Sequence, residues 1–298
     1  MRRPDELPPG LQGRLFSLQE AASAGLSRAR LRGQGMTRHY RGVYGADGVD
    51  VSTATRAAGL AAVLPPEARF SHLTAAELYG APVGRSRDIH VTVPVPRAVP
   101  RRRPGVVTHQ RTRCDDVPRS VCGVMVSSPE QTFVDLAAQL SLDDMVVLGD
   151  YLVRHWTSTA AIERHLAVSP RATRGIVRAR QALALVRVGV DSPQETRLRL
   201  IIVRHGLPEP AVNPLVFDNA GEWLGQPDLA HLRERVATQI DGDVHRTNRR
   251  RWRQDIARDE AFRDVGWTVL RTTAQDVRYP GPYLARLERA LGRGPHTR

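Results

Sequence analysis

The sequence has no lysine: all 44 of its basic residues are arginine. That excludes a phosphate-cradling P-loop lysine, a Schiff-base lysine and any nuclease triad that needs lysine. Cysteine is almost absent. Cys114 and Cys122 lie eight residues apart, a spacing that fits no common zinc or redox motif and suits two free thiols in a reducing compartment. Aromatic residues make up 5% of the chain. No run approaches the roughly 20 consecutive apolar residues of a membrane span. The opening MRRPDELPPG has charge but no apolar segment, so no secretory signal is expected and the expected location is cytoplasmic.

What is present is 298 residues, 41% hydrophobic, with a net charge of +13. At about 100–200 residues per domain, that length predicts two or so domains with real cores. The charge is uneven. Residues 191–298 hold 18 arginines and 15 acids, leaving 26 and 16 to residues 1–190, a net of +10 there. Excess positive charge in one part of a chain points to a polyanionic partner for that part.

The N-terminal pattern is helix, turn, helix and strand. Ser17 and Glu20 have the spacing of a capping box, and the helix they open stops at Gly25. Ser27 caps a second helix over Arg28–Arg32, which would carry Arg28 and Arg32 on one face and Arg30 on another. His39 to Gly45 then alternates as a strand with a turn after it. This is the order of a winged helix-turn-helix, predicted over residues 1–50. Tyr40 and Tyr44 are candidates either for wing contacts or for packing a small core.

Residues 51–190 read as a mainly helical region with strands at 89–93, 106–109 and 121–126 and a helix opened by Ser128-Pro129. Residues 97–113 hold arginines 97, 101, 102, 103, 111 and 113 and no acid. Arg101, Arg102 and Arg103 are the candidate phosphate contacts of that loop. The motifs found assign this middle region no role.

Residues 191–298 predict a separate α/β domain in the order α-β-β-β-α-β-α, so the whole chain is expected to be α+β and multidomain. Strands are expected at 212–217, 223–232, 235–240 and 266–271, with helices at 193–205, 247–265 and 281–291. If the second hairpin turns at Arg233-Glu234, Asp228 lies across from Gln239, and Gln239 shares a face with Asp241. Hard oxygen ligands of this kind suit Mg²⁺ or Mn²⁺. Glu195, in the first turn of the preceding helix, can add a carboxylate, and His245 can move or hold a proton. A carboxylate-held metal beside a histidine fits phosphodiester hydrolysis, because the ion acidifies its water and offsets charge on the phosphate. Arg249, Arg250 and Arg253, with Arg246 and Arg251, either grip phosphates or coat a solvent face.

The pattern S-P-Q-E, Q-P-D-L, Q-I-D-G-D-V-H and G-W-T-V-L-R resembles the endonuclease-like domain related to very-short-patch repair (Vsr) endonucleases, of the restriction-endonuclease-like fold. The N-terminal region resembles the winged-helix domain of AbiEi-type antitoxins, a combination found in actinobacterial proteins of this architecture. The resemblance implies Asp228 as the principal metal carboxylate, with Asp241 and Glu195 beside it and His245 as the histidine after the D-G turn. Gln239 stands where Glu is usual. Two functions are therefore expected to compete: a Mg²⁺-dependent DNA endonuclease, or a non-catalytic antitoxin-like regulator with a degenerate nuclease domain. Both imply nucleic acid as partner, DNA ahead of RNA, no membrane, and for the second a cognate toxin.

Overall fold

A computed structural model describes residues 7–95, 102–112, 116–241 and 258–292. The chain forms two compact units, Met1–Gln139 with Ala160–Ala179, and Leu140–Thr159 with Arg180–Arg298. Each mixes helices with sheets, as an α+β chain should.

In the first unit, β1 (Phe16–Ser17) leads into α1 (Leu18–Ser23). The capping box is formed: Ser17 Oγ accepts from the Glu20 N–H at 3.1 Å, and the Glu20 carboxylate accepts from the Ser17 N–H at 2.7 Å. The second helix is shorter than its pattern suggests. Only Arg30–Arg32 coil, as one 3-10 turn, with Ser27 Oγ accepting from the Arg30 N–H at 3.1 Å. Gly33 and Gly35 follow too soon for an α-helix to repay its nucleation cost. The expected single strand is a hairpin, β2 (Met36–Tyr40) and β3 (Val43–Ala46), because Gly42 at φ +84° turns the chain between them. The sheet order is β1-β3-β2, over a core of Leu11, Phe16, Ala21 and Leu31.

Helix α2 (Thr53–Ala61) follows, capped by Ser52. A five-stranded sheet then has the order β6-β5-β4-β8-β7. Its strands are β4 (Arg69–Phe70), β5 (Ile89–Pro94), β6 (Val106–Arg111), β7 (Arg119–Val121) and β8 (Val124–Val126). The strand expected over 121–126 is again a hairpin. Cys122 and Gly123 both have positive φ, the two-residue turn that matches strand twist. Helix α3 (His72–Leu78) lies between β4 and β5, and α4 (Pro129–Leu136) starts where Ser128 accepts from the Gln131 N–H at 3.1 Å. Along the chain, α6 (Thr159–Val168) and α7 (Ile176–Leu185) run through the boundaries at 159/160 and 179/180.

The second unit contains α5 (Leu142–His155), α8 (Pro193–Arg204) and a sheet of order β14-β13-β12-β9. Its strands are β9 (Ala211–Val212), β12 (Leu229–His231), β13 (Val236–Asp241) and β14 (Thr268–Thr273). A separate hairpin pairs β10 (Val216–Phe217) with β11 (Trp223–Gly225). The two longer strands expected here break at Pro214 and Pro227, which have no N–H to give a ladder. The register is the one a turn at Arg233-Glu234 predicts, with Leu229 opposite Thr238 and Ala230 opposite Ala237. Strand β14 lies parallel to β13, with Arg271 beside Gln239.

Side-chain alternation clothes both faces of this sheet. Leu229 and Val236 pack with Leu198 and Ile202 of α8 and with Tyr283 and Leu287 of α11 (Gly281–Ala290). Ala230 and Ala237 pack with Phe262, in the helical residues 258–264 (α9), and with Trp267. Helix α10 (Ala274–Arg278) precedes α11. The helix expected over 247–265 is thus described from residue 258 onward.

Candidate functional site

Two places carry the chemistry singled out by sequence. The first is the arginine-bearing segment 28–38, which holds the 3-10 turn and the start of β2. Arg28, Arg32 and Arg38 are exposed there. Because Arg30–Arg32 form only a 3-10 turn, Arg28 precedes it and shares no α-helical face with Arg32. Of the two roles open to Tyr40, wing contact and core packing, the structure gives it the second. The residue is 7% exposed, and its hydroxyl accepts from Arg56 Nε at 2.7 Å. Arg103 is also committed internally: its Nη2 donates to the Val63 carbonyl at 3.0 Å and its Nε to the Arg41 carbonyl at 3.4 Å. Two hydrogen bonds to backbone make it a brace rather than a free loop arginine. Even so, Arg103 joins Arg28 and Arg41 in lining a cleft of about 720 Å³ with Ser17 and Gln19. Arg102 is exposed, and Arg101 lies outside the described residues.

The second place is the end of the four-stranded sheet. The Asp228 carboxylate accepts from the Ile240 N–H at 2.5 Å, which ties the residue before β12 to β13. Asp241 accepts from Arg271 Nη1 at 2.8 Å, and Arg271 Nε donates to Asp259 of α9, also at 2.8 Å. Glu195 is 4% exposed. It accepts from the Asp191 N–H at 2.9 Å and from Asn213 Nδ2 at 2.7 Å. Gln239 is half-buried on β13. His245, Arg246, Arg249, Arg250, Arg251 and Arg253 lie outside the described residues.

These acids feel one another. Burial pushes the Asp228 carboxyl above its ordinary range; the Ile240 N–H pulls it back, and Asp191 and Asp241 push it further up. Burial likewise raises Glu195, against hydrogen bonds from Asp191, Ser192 and Asn213, and Asp228 adds to the rise. The three carboxylates are nonetheless not drawn into a closed set. Among the described residues, the group of three or more such side chains whose ligand atoms all lie within 4.8 Å of one another is elsewhere, and Asp228, Asp241 and Glu195 do not form one. The hydrogen bonds just described explain this, since each acid is held by its own donor.

Three residues that hold this end of the sheet together, Arg271, Asp259 and Asn213, are not among the candidates the sequence offers. Arg271 had a signal, a lone cation in the apolar strand after Trp267. Asn213 had another, since asparagine tolerates the left-handed φ of +45° it adopts. Asp259 had none, because only the fold of α9 across the sheet brings it to Arg271.

Residues 68–185 match the family model described as the AbiEi antitoxin C-terminal domain. This antitoxin likeness falls on the middle of the chain, which the motifs had left without a role. The chain is also similar to two proteins of Mycobacterium tuberculosis, Uncharacterized protein MT2308 of strain CDC 1551 / Oshkosh and Uncharacterized protein Rv2248 of strain H37Rv. Each is 28% identical over 265 residues, covering 89% of this chain and 95% of the relative. Among the described residues, no helix is long and apolar enough to cross a membrane.

Proposed function

We propose that this chain is a DNA-binding protein of antitoxin type, acting in the cytoplasm. In this reading, the arginine-bearing N-terminal sheet contacts duplex DNA and the segment 68–185 engages a cognate toxin. The observation that carries it is the likeness of residues 68–185 to the AbiEi antitoxin C-terminal domain. Two features support the DNA contact. Residues 1–190 hold most of the excess positive charge. The order of helix, short turn and hairpin, with sheet order β1-β3-β2, suits a winged helix-turn-helix. Anisotropy titration of labelled duplex DNA with the full chain, at graded salt and against an RNA competitor, tests the reading. Binding that resists about 200 mM salt unchanged, or a preference for RNA, overturns it.

A second reading has its own observation. Asp241 raises the proton affinity of Asp228, and Asp228 that of Glu195, at one end of a sheet covered by helices on both faces. This fits a restriction-endonuclease-like domain related to Vsr enzymes. Asp228 and Asp241 would hold Mg²⁺ or Mn²⁺, which when bound acidifies its water and offsets phosphate charge. Gln239, where Glu is usual, leaves the site one carboxylate short. A plasmid-nicking assay with either ion separates the readings. Nicking that Asp228→Ala abolishes and Gln239→Glu enhances favours the nuclease, and no nicking in any form favours the regulator.

A further inference from the structure

Away from both of these places, three histidines meet on the five-stranded sheet. Strands β5 and β6 are parallel, with His90 beside Val107 and Thr92 beside His109. His90 and His109 therefore fall on the same sheet face, two residues apart along the strands. His72, the first residue of α3, closes the group. Its φ of +53° is rare for a side-chain-bearing residue, and such strain persists only where the surroundings impose it. One nitrogen from each of the three lies within 4.8 Å of the others.

The polar atoms around the cluster sort themselves into an inner and an outer set. His90 Nδ1 lies 3.0 Å from His109 Nε2, while His90 Nε2 faces Ser86 Oγ at 3.1 Å. His72 Nδ1 faces Ser71 Oγ at 3.0 Å and Asp135 Oδ2 at 3.7 Å. Asp135, from α4, has a side chain 2% exposed. Its Oδ1 accepts from Arg111 and Gln131, but its Oδ2 has no hydrogen-bond partner. An unpaired carboxylate oxygen at that depth is costly unless something cationic or an N–H is directed at it.

We propose that His72, His90 and His109 form a binding site for Zn²⁺, with His72 Nε2, His90 Nδ1 and His109 Nε2 as ligands and Asp135 orienting His72. Three imidazoles fill three of the four tetrahedral positions zinc prefers. The outer nitrogens of His90 and His72 have the partners that metal-binding histidines usually need: Ser86 for one, and Ser71 with the free oxygen of Asp135 for the other. The rings of His72 and His109 stack at 3.6 Å, which holds their nitrogens side by side. Rotation about the soft terminal torsion of each ring then turns the lone pairs onto one ion. Imidazole ligands with a carboxylate behind them suit zinc better than the Mg²⁺ considered for the acidic site.

The test uses the untagged full chain, stripped with EDTA, re-equilibrated with Zn²⁺ and analysed for metal, with Co²⁺ as a spectroscopic substitute. One zinc per chain is expected, with the intense visible absorption of four-coordinate cobalt. His90→Ala and His109→Ala should each lower zinc affinity more than about a hundredfold. Ser86→Ala, which removes only an outer partner, should lower it about tenfold. His155→Ala, outside the cluster, should leave the stoichiometry at one. Less than about 0.1 zinc per wild-type chain, or the weak spectrum of octahedral cobalt, overturns the proposal without any variant. So does wild-type zinc affinity in His90→Ala and His109→Ala.

Discussion

Arg199 of α8 donates through Nη2 to the Asp150 carboxylate of α5 at 3.2 Å, with both side chains 2% exposed or less. Asp150 also accepts from Thr196 Oγ1 and from the Arg187 N–H, and Arg199 reaches Glu209 and the Leu185 carbonyl. A buried ion pair adds little over apolar packing, but an orphaned partner is expensive. Asp150→Ala should therefore cost about 3–5 kcal/mol in urea unfolding. The double variant Asp150→Leu/Arg199→Met should recover part of that loss, because it removes the orphaned guanidinium but leaves the Arg187 N–H and the Thr196 hydroxyl without their acceptor. If Asp150→Ala unfolds like the parent, the network does not hold α5 on α8.

Asp228 gives a pH prediction with a definite sign. Its carboxyl is raised in the folded state, so the folded chain is penalised once Asp228 ionises, and stability from this group rises as pH falls through its folded value. Asp228→Asn mimics the protonated form and its amide oxygen can still accept from Ile240. The variant should gain on the parent as pH rises from about 4 to about 8, by about 1.4 kcal/mol for each tenfold by which folding raises the proton affinity of the Asp228 carboxyl. Thermal unfolding at several pH values checks this. A difference independent of pH would mean that neither burial nor the neighbouring carboxylates raise the Asp228 carboxyl on folding.

The N-terminal surface separates contact from packing. Arg28→Ala, Arg32→Ala and Arg38→Ala should each reduce the log–log salt slope of DNA binding by about 0.9 if its arginine neutralises one phosphate. Tyr40→Phe should leave DNA affinity and slope unchanged. It should instead lower stability by about 0.5–1.5 kcal/mol through the lost hydrogen bond with Arg56. The reverse pattern would place Tyr40 at the DNA.

Gly175 has φ +85°, and a Cβ there would lie 2.5 Å from the Ala138 backbone nitrogen. Backbone cannot move aside as a flexible side chain can. Gly175→Ala should therefore destabilise the first unit by more than about 1 kcal/mol, where the same change in a relaxed helix would stabilise it. Gly84, with open space around its Cβ position, is the control. Denaturant unfolding of both variants decides the matter, and equal midpoints would refute the close approach.

The sequence by itself determined whatever depends on neighbours along the chain. Ser17-Glu20 and Ser128-Gln131 predict helix starts because a side chain three residues away can reach an orphan N–H. A turn centred on Arg233-Glu234 predicts the β12–β13 register, because in a hairpin the position of the turn along the chain fixes which residues pair. Tertiary structure decided the rest. Whether Tyr40 is core or contact depended on Arg56, 16 residues away. The reach of Glu195 depended on Asn213, and that of Arg271 on Asp259. His90 and His109 are 19 residues apart and His72 stands on a helix, so no local spacing reveals that they meet. Metal ligation, burial and charge coupling act through a few ångströms of space, and only the fold converts distant positions in sequence into such distances.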